Sequence, residues 1–320
     1  MSVGSSTYRQ LQNFLAGTNQ YYPLYMPGAK TFFVAPSTYV AVDGLTPNNG
    51  NDGETPQEPL LTIAAAHAKA VSGRGDTIVL MPGTYVLTSP VALTKIGVRL
   101  VAMKPYSANV TGDGVVTNLI AVDGNDIEIA GLRIAGVAAA VVLVDVANTS
   151  SIGNFHIHHC KFIGLETVAS VEGILNGELI SGNACLQSLI EDNYFEGLSQ
   201  SCITTFGGGT VIKNNIFNMD DTASHTAIAI GDQGAAFATV KNLSIINNVF
   251  CGYTNNSALL AITMLGSEAN TQMYCINGNA FANVGSASVN GVITQDIHPE
   301  GVVANWLGQA TTVTPLLVEG

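Results

Sequence analysis

The 320 residues are enough for one large core or two ordinary ones, yet only 11% are charged against 47% hydrophobic. Asn, Ser, Thr and Gly supply the polarity instead. A net charge of −12, with seven lysines and four scattered arginines, excludes a nucleic-acid footprint and repels anionic polymers at long range.

No apolar run approaches the ~18 residues of a membrane span, so no membrane partner is expected. The longest run, Ala135–Ala147, contains Asp145 and reads as buried strand. The start, MSVGSSTYRQLQNF, lacks a basic stretch followed by an apolar block, so no secretory signal is expected. Cys160, Cys185, Cys202, Cys251 and Cys275 form no CxxC pair and read as reduced, buried thiols rather than metal ligands. No cofactor and no metal is expected.

Residues 1–42 hold Tyr8, Phe14, Tyr21, Tyr22, Tyr25, Phe32, Phe33 and Tyr39, eight of the chain's 21 Tyr and Phe residues. So short a segment forms no core of its own. It reads as an arm packing on the body or on another chain, with Tyr8, Phe14, Tyr21, Tyr22 and Tyr25 as interface candidates. Residues 43–95 follow as a capping helix and first coil. LTIAAAHAKAV, 61–71, has Thr62 as its start signal and Gly73 as its stop, and His67 reads as a cap residue. Such a helix protects an open sheet edge.

From 96 to 285 a phrase recurs. The template I-x-x-N-x-F fits Ile190/Asn193/Phe195, Ile212/Asn215/Phe217, Ile245/Asn248/Phe250 and Ile276/Asn279/Phe281, with degenerate copies at Ile157/Cys160/Phe162 and Ile129/Leu132/Ile134. Steps between fourth positions are 28, 33, 22, 33 and 31 residues, which means constant strands and variable loops. Asn, Gly and β-branched residues disfavour helical repeats. A parallel β-helix fits, each coil lying about 4.8 Å from the last so that equivalent side chains stack in columns. Phe162, Phe195, Phe217, Phe250 and Phe281 form an aromatic ladder; Asn193, Asn215, Asn248 and Asn279 form a buried amide ladder that ends near Cys160. Two residues past the last anchors stand Gly136, Gly164, Gly197, Met219, Gly252 and Asn283, mostly residues that tolerate a left-handed backbone. Residues 286–320, with the single Trp306, form a C-terminal cap or interface segment.

The entry segment DGLTPNNGNDGETPQEPLLTIAAAHAKAVSGRGDTIVLMPGTY, 43–85, together with the Asn/Phe coils, resembles right-handed parallel β-helix proteins of the pectate-lyase-like superfamily. The resemblance covers about 43–285 and implies an all-β, single-stranded solenoid with an N-terminal capping helix and non-repeat terminal segments. The superfamily spans lyases, hydrolases, adhesins and phage spikes, so it implies no one activity. Its acidic calcium cluster has no clear match here, and no catalytic residue is carried over.

The outward column Ala130, His158, Glu191, Lys213, Ile246, Asn277 places His158, Glu191 and Lys213 side by side, as an acid–base group or, the favoured reading, a solvent-facing charge ladder. The next column, Gly131, His159, Asp192, Asn214, Asn247, Gly278, sits at the turn. His156 and His158 share a face and read as structural rather than metal-binding. Asp220–Asp221 with His225 is the better loop candidate, but no acid lies across from it on adjacent coils and solvated loop aspartates are the favoured reading; a contribution from Glu166, Glu172 or Glu178 in the 165–188 loop is left open.

The expected function is a structural or adhesive bacteriophage virion protein (capsid decoration protein, head fibre or spike), leaning away from an enzyme. The alternative is a polysaccharide-degrading tailspike enzyme, a glycan hydrolase or lyase. The expected partners are two further copies in a homotrimer, capsid or tail proteins, and a host surface glycan. The expected location is the virion, after synthesis in the host cytoplasm.

Overall fold

A computed structural model describes residues 28–39, 46–136, 141–147, 152–164, 171–177, 185–206, 208–219, 226–231, 240–252, 260–264, 271–282, 293–294, 302–303, 305–309 and 312–316. Tyr8, Phe14, Tyr21, Tyr22 and Tyr25 lie outside this set, as do Glu166, Glu178, Asp220, Asp221 and His225.

β-branched and aromatic residues alternating with polar ones give short strands that climb as a solenoid. Among the described residues they form three sheets of ten, eight and ten strands. Sheet I runs from Thr31–Val34 to Val302–Val303, sheet II from Gly83–Leu87 to Thr312–Leu316, and sheet III from Val91–Leu93 to Ile293–Thr294. Pairing is parallel throughout, save that Thr312–Leu316 folds back antiparallel on Asn305–Gln309. The architecture is a right-handed, single-stranded parallel β-helix, all-β apart from its cap.

The inward column of sheet I runs Leu100, Ile129, Ile157, Ile190, Ile212, Ile245, Ile276, all fully buried. In sheet II, Phe162, Phe195, Phe217, Phe250 and Phe281 stack with centroids 4.7–4.9 Å apart and planes within 8–10° of parallel. The ring spacing follows the coil spacing because each ring stands on the same register position. Phe217→Ala removes one rung, and the coils on either side cannot collapse without breaking register. A loss of about 3–5 kcal/mol in chemical denaturation is expected.

Between sheets I and II the chain turns through the amide ladder. Asn193 Nδ2 donates to Ile157 O at 3.1 Å and to Asn215 Oδ1 at 3.1 Å, and the Asn193 N–H donates to the same oxygen at 3.0 Å. Asn215 repeats this toward Ile190 and Asn248, and Asn248 toward Ile212 and Asn279. At the end of the run the Cys160 N–H donates to Asn193 Oδ1 at 2.9 Å, and the Cys160 thiol occupies the amide's place. Burial pushes that thiol up to about 12, so it stays protonated.

Among the described residues, the left-handed position is not two residues past the last anchor, except at Gly197 (φ 64°). It is the residue just before the ladder position: Gly131, His159, Asp192, Asn214, Asn247 and Gly278 all have φ between 52° and 72°. That explains the Asn, Asp and Gly there, since these tolerate the conformation best. Gly164 answers a different need, because a Cβ there would lie 1.9 Å from Gly197 O.

The cap helix is Ile63–Lys69, with the Thr62 hydroxyl accepting from Ala65 N at 3.2 Å. Lys95 Nζ donates to the carbonyls of His67, Ala68 and Ala70 at its C-terminal end. His67 Nε2 accepts from the Thr94 and Lys95 amides at 3.2 and 3.3 Å, and burial together with the Lys95 charge lowers its pKa, favouring that neutral acceptor. From the N-terminal segment, Thr31–Val34 joins sheet I beside Thr77–Leu80. Phe32 packs in the main core and Phe33 in a small outer cluster with Val79, Met81 and Val101. Trp306 lies on sheet II opposite Ala280.

Candidate functional site

Two groups of titratable side chains stand on the outside of the solenoid. The first is on sheet I. Its outward column runs Ala130, His158, Glu191, Lys213, Ile246, Asn277 in register. The column two residues earlier brings Arg99, Glu128 and His156 alongside. Glu191 Oε1 pairs with His156 Nε2 at 2.9 Å and Oε2 with Lys213 Nζ at 2.8 Å. Glu128 Oε1 pairs with His158 Nε2 at 3.2 Å and Oε2 with Arg99 Nε at 3.2 Å.

This group is not the solvent-facing ladder expected. His158 is 2% exposed, His156 7% and Glu128 9%. Burial, aided by the neighbouring His158, lowers His156 to about 4 against the opposing pull of Glu128 and Glu191. Burial raises the Glu128 carboxyl, but the hydrogen bond from His158 and the Arg99 charge outweigh it and hold it below its ordinary value. For Glu191 the Lys213 contact likewise overcomes burial. Sequence reasoning missed Arg99, Glu128 and His156 as partners because it followed one column where the pairing is diagonal.

The second group is on sheet III. Strands Val141–Val146 and Val171–Asn176 pair in parallel, with Val142 against Glu172 and Asp145 against Leu175. Ile120, Val144, Ile174, Ile203 and Ile228 form the inward column, all fully buried. Their neighbours Ala121, Asp145, Leu175, Thr204 and Ala229 form the outward one. Asp145 is 5% exposed, and its Oδ2 accepts from Asn118 Nδ2 at 2.5 Å. Burial pushes the Glu172 carboxyl up to about 7; the negative Asp145 adds to the rise and a hydrogen bond with Thr204 opposes it. Glu172 is therefore an acid that keeps its proton to neutrality, beside a carboxylate on the preceding coil. Among the described residues, the strands of sheet III contain no Lys, Arg or His, and Asp145 and Glu172 are their only charged side chains.

Asp145 was read from sequence as an ordinary member of a buried strand, and Glu172 as a residue of the 165–188 loop. The signal available was a lone acid in each of two apolar strands, VVLVDV and VEGILN.

Solved structures share this architecture. Pectin methylesterase PemA from Erwinia chrysanthemi superposes with a TM-score of 0.55 at 13% identity, over 88% of this chain and 90% of that one. A pectin methylesterase in complex with a hexasaccharide gives 0.53 at 14% identity over 87% and 90%. The Aspergillus niger enzyme gives 0.50 at 11% identity over 90% and 86%. No protein-family model matches the chain, and no curated protein does. The expectation of a structural, non-catalytic virion protein is corrected at this point: the solved structures that this chain matches in fold are pectin methylesterases, and none of these three is a virion protein. The chain is a right-handed parallel β-helix, similar in fold to the pectin methylesterases.

Proposed function

We propose that the chain is a polysaccharide-processing hydrolase acting on an uncharged glycan laid across the outer face of sheet III. The observation that carries this reading is a Glu172 carboxyl held protonated to about 7 by burial and, to a smaller extent, by the charge of Asp145, which stands on the preceding coil three residues further along in register. Two carboxyl groups whose surroundings separate their protonation states divide the work of acid and base. Glu172 donates its proton to the leaving oxygen; Asp145 is the carboxylate that attacks or activates water. Asn118 holds Asp145 Oδ2 in place, and Thr204 holds Glu172.

The substrate's charge class follows from the face. Uronate, sulfate or phosphate groups would find no cation on any sheet III strand, and they would approach a protein of net charge −12. An uncharged glycan meets no such barrier. The fold of pectin methylesterases, one of them carrying a hexasaccharide, agrees with a glycan lying along such a rod.

The test is a panel of neutral polysaccharides, with and without ester substituents, and anionic ones as controls. Both new reducing ends and released alcohol or acid are measured. Turnover of a neutral member, falling as pH rises past about 7 and lost in Asp145→Asn, is the expected result. Absence of either product across the panel, or turnover indifferent to Asp145→Asn, would sink the reading.

A further inference from the structure

The group on sheet I takes no part in this chemistry, yet its wiring among the described residues is symmetrical. Each of two carboxylates spans one cation and one imidazole: Glu128 between Arg99 and His158, Glu191 between Lys213 and His156. Two cations against two carboxylates leave no net charge when both imidazoles are neutral. The imidazole rings of His156 and His158 lie 4.3 Å apart, tilted by 30°. Protonating either adds a positive charge to a largely buried layer, directly against its neighbour.

The structure also fixes where a proton enters. Ionised carboxylates only accept, so His156 and His158 each carry hydrogen on Nε2. Neutral His158 then has a bare Nδ1, which faces His159 Nδ1 at 2.8 Å. His159 must donate across that contact. It is exposed and held in a left-handed turn (φ 52°) that aims its ring back at its neighbour. Asp192 follows it one coil on in the same turn column, so among the described residues the titratable and charged groups around the pair are Arg99, Glu128, His159, Glu191, Asp192 and Lys213.

We propose that His156, His158 and His159 form an acid-triggered latch on the outer face of sheet I, closed when the imidazoles are neutral and opened by a proton relayed from solvent. His159 takes a proton on Nε2 and passes its Nδ1 proton to His158 Nδ1. One N–H bond breaks on His159 as one forms on His158, and His159 returns to a neutral ring. The buried layer then carries excess positive charge, and strand Ile152–His158 loosens from Ile127–Ala130 and Cys185–Glu191.

Hydrogen exchange on the full chain tests this, with rates corrected for the intrinsic pH dependence. Amides of 152–158 and 185–191 are expected to lose at least about tenfold in protection between pH 7 and pH 4.5, while sheet III strands change less. In His156→Gln/His158→Gln, where an amide N–H replaces each Nε2 donor, that acid loss is expected to vanish. Equal acid loss in both proteins, or none in either, overturns the latch. Imidazole nitrogen–proton correlation spectra of the unaltered protein at pH 7 give a check needing no variant. Nε2–H on His156 and His158 with Nδ1–H on His159 supports the relay; hydrogen on His158 Nδ1 overturns it.

Discussion

Glu172→Gln is expected to lower turnover by about 10²–10⁴-fold, the usual contribution of a general acid, while making the protein more stable above neutral pH. The sign follows from linkage. The carboxyl is raised from 4.5 to about 7 on folding, so the folded protein holds a proton that the unfolded chain has released. The stability due to Glu172 is therefore full below about pH 4.5 and is lost as pH rises through about 7. At pH 8 the native protein keeps a half-buried negative charge beside Asp145. Glutamine keeps the hydrogen bond to Thr204 and removes the charge. The gain is expected to be about 1–3 kcal/mol at pH 8 and near zero at pH 4, read by denaturant unfolding at both. A structural glutamate would show the reverse, losing stability at every pH. A variant less stable at pH 8 than its parent would remove Glu172 from the site.

Asn215→Leu is expected to produce the largest loss of stability without touching the site. Asn215 is fully buried at the middle of the amide ladder. Its Nδ2 donates to Ile190 O at 2.9 Å and to Asn248 Oδ1 at 3.1 Å; its Oδ1 accepts from the Asn193 N–H at 3.0 Å and Nδ2 at 3.1 Å. Leucine fills the volume but strands the Ile190 carbonyl and the Asn193 amide away from water. At about 1–3 kcal/mol for each orphaned group, the expected loss is about 2–6 kcal/mol. The neighbouring Asn214→Gly is the control: Asn214 sits at φ 56°, where glycine is at ease, and stability is expected to hold or rise. A loss below about 1 kcal/mol for Asn215→Leu would mean that water reaches the ladder.

Sheets I and II were legible in the sequence because one six-residue phrase spans both and the tight turn between them. Ile190, Asn193 and Phe195 keep fixed spacing because that turn admits no insertion, and the same spacing returns 22, 33 and 31 residues on. Sheet III has no such anchor. The number of residues between its strands and those of the other sheets changes from coil to coil, so no spacing ties Asp145 to the ladder, or Glu172 to Asp145. Two acids on neighbouring coils thus looked like one strand residue and one loop residue. The sheet I group was half visible: His158, Glu191 and Lys213 share a column, but Glu128 and His156 meet them diagonally. Its burial was invisible, because alternation says only that a residue points out of the solenoid, not whether other chain segments lie over it.

The stacked Phe rings have a consequence for how this molecule comes apart. Each inner ring touches one above and one below, and among the described residues each inner coil likewise pairs with the coil before it and the coil after it. Unfolding of such an array travels as a front from whichever end is weaker, rather than as one concerted collapse. A melting curve of this protein therefore records where along the rod the front stalls as well as how much heat was needed to start it.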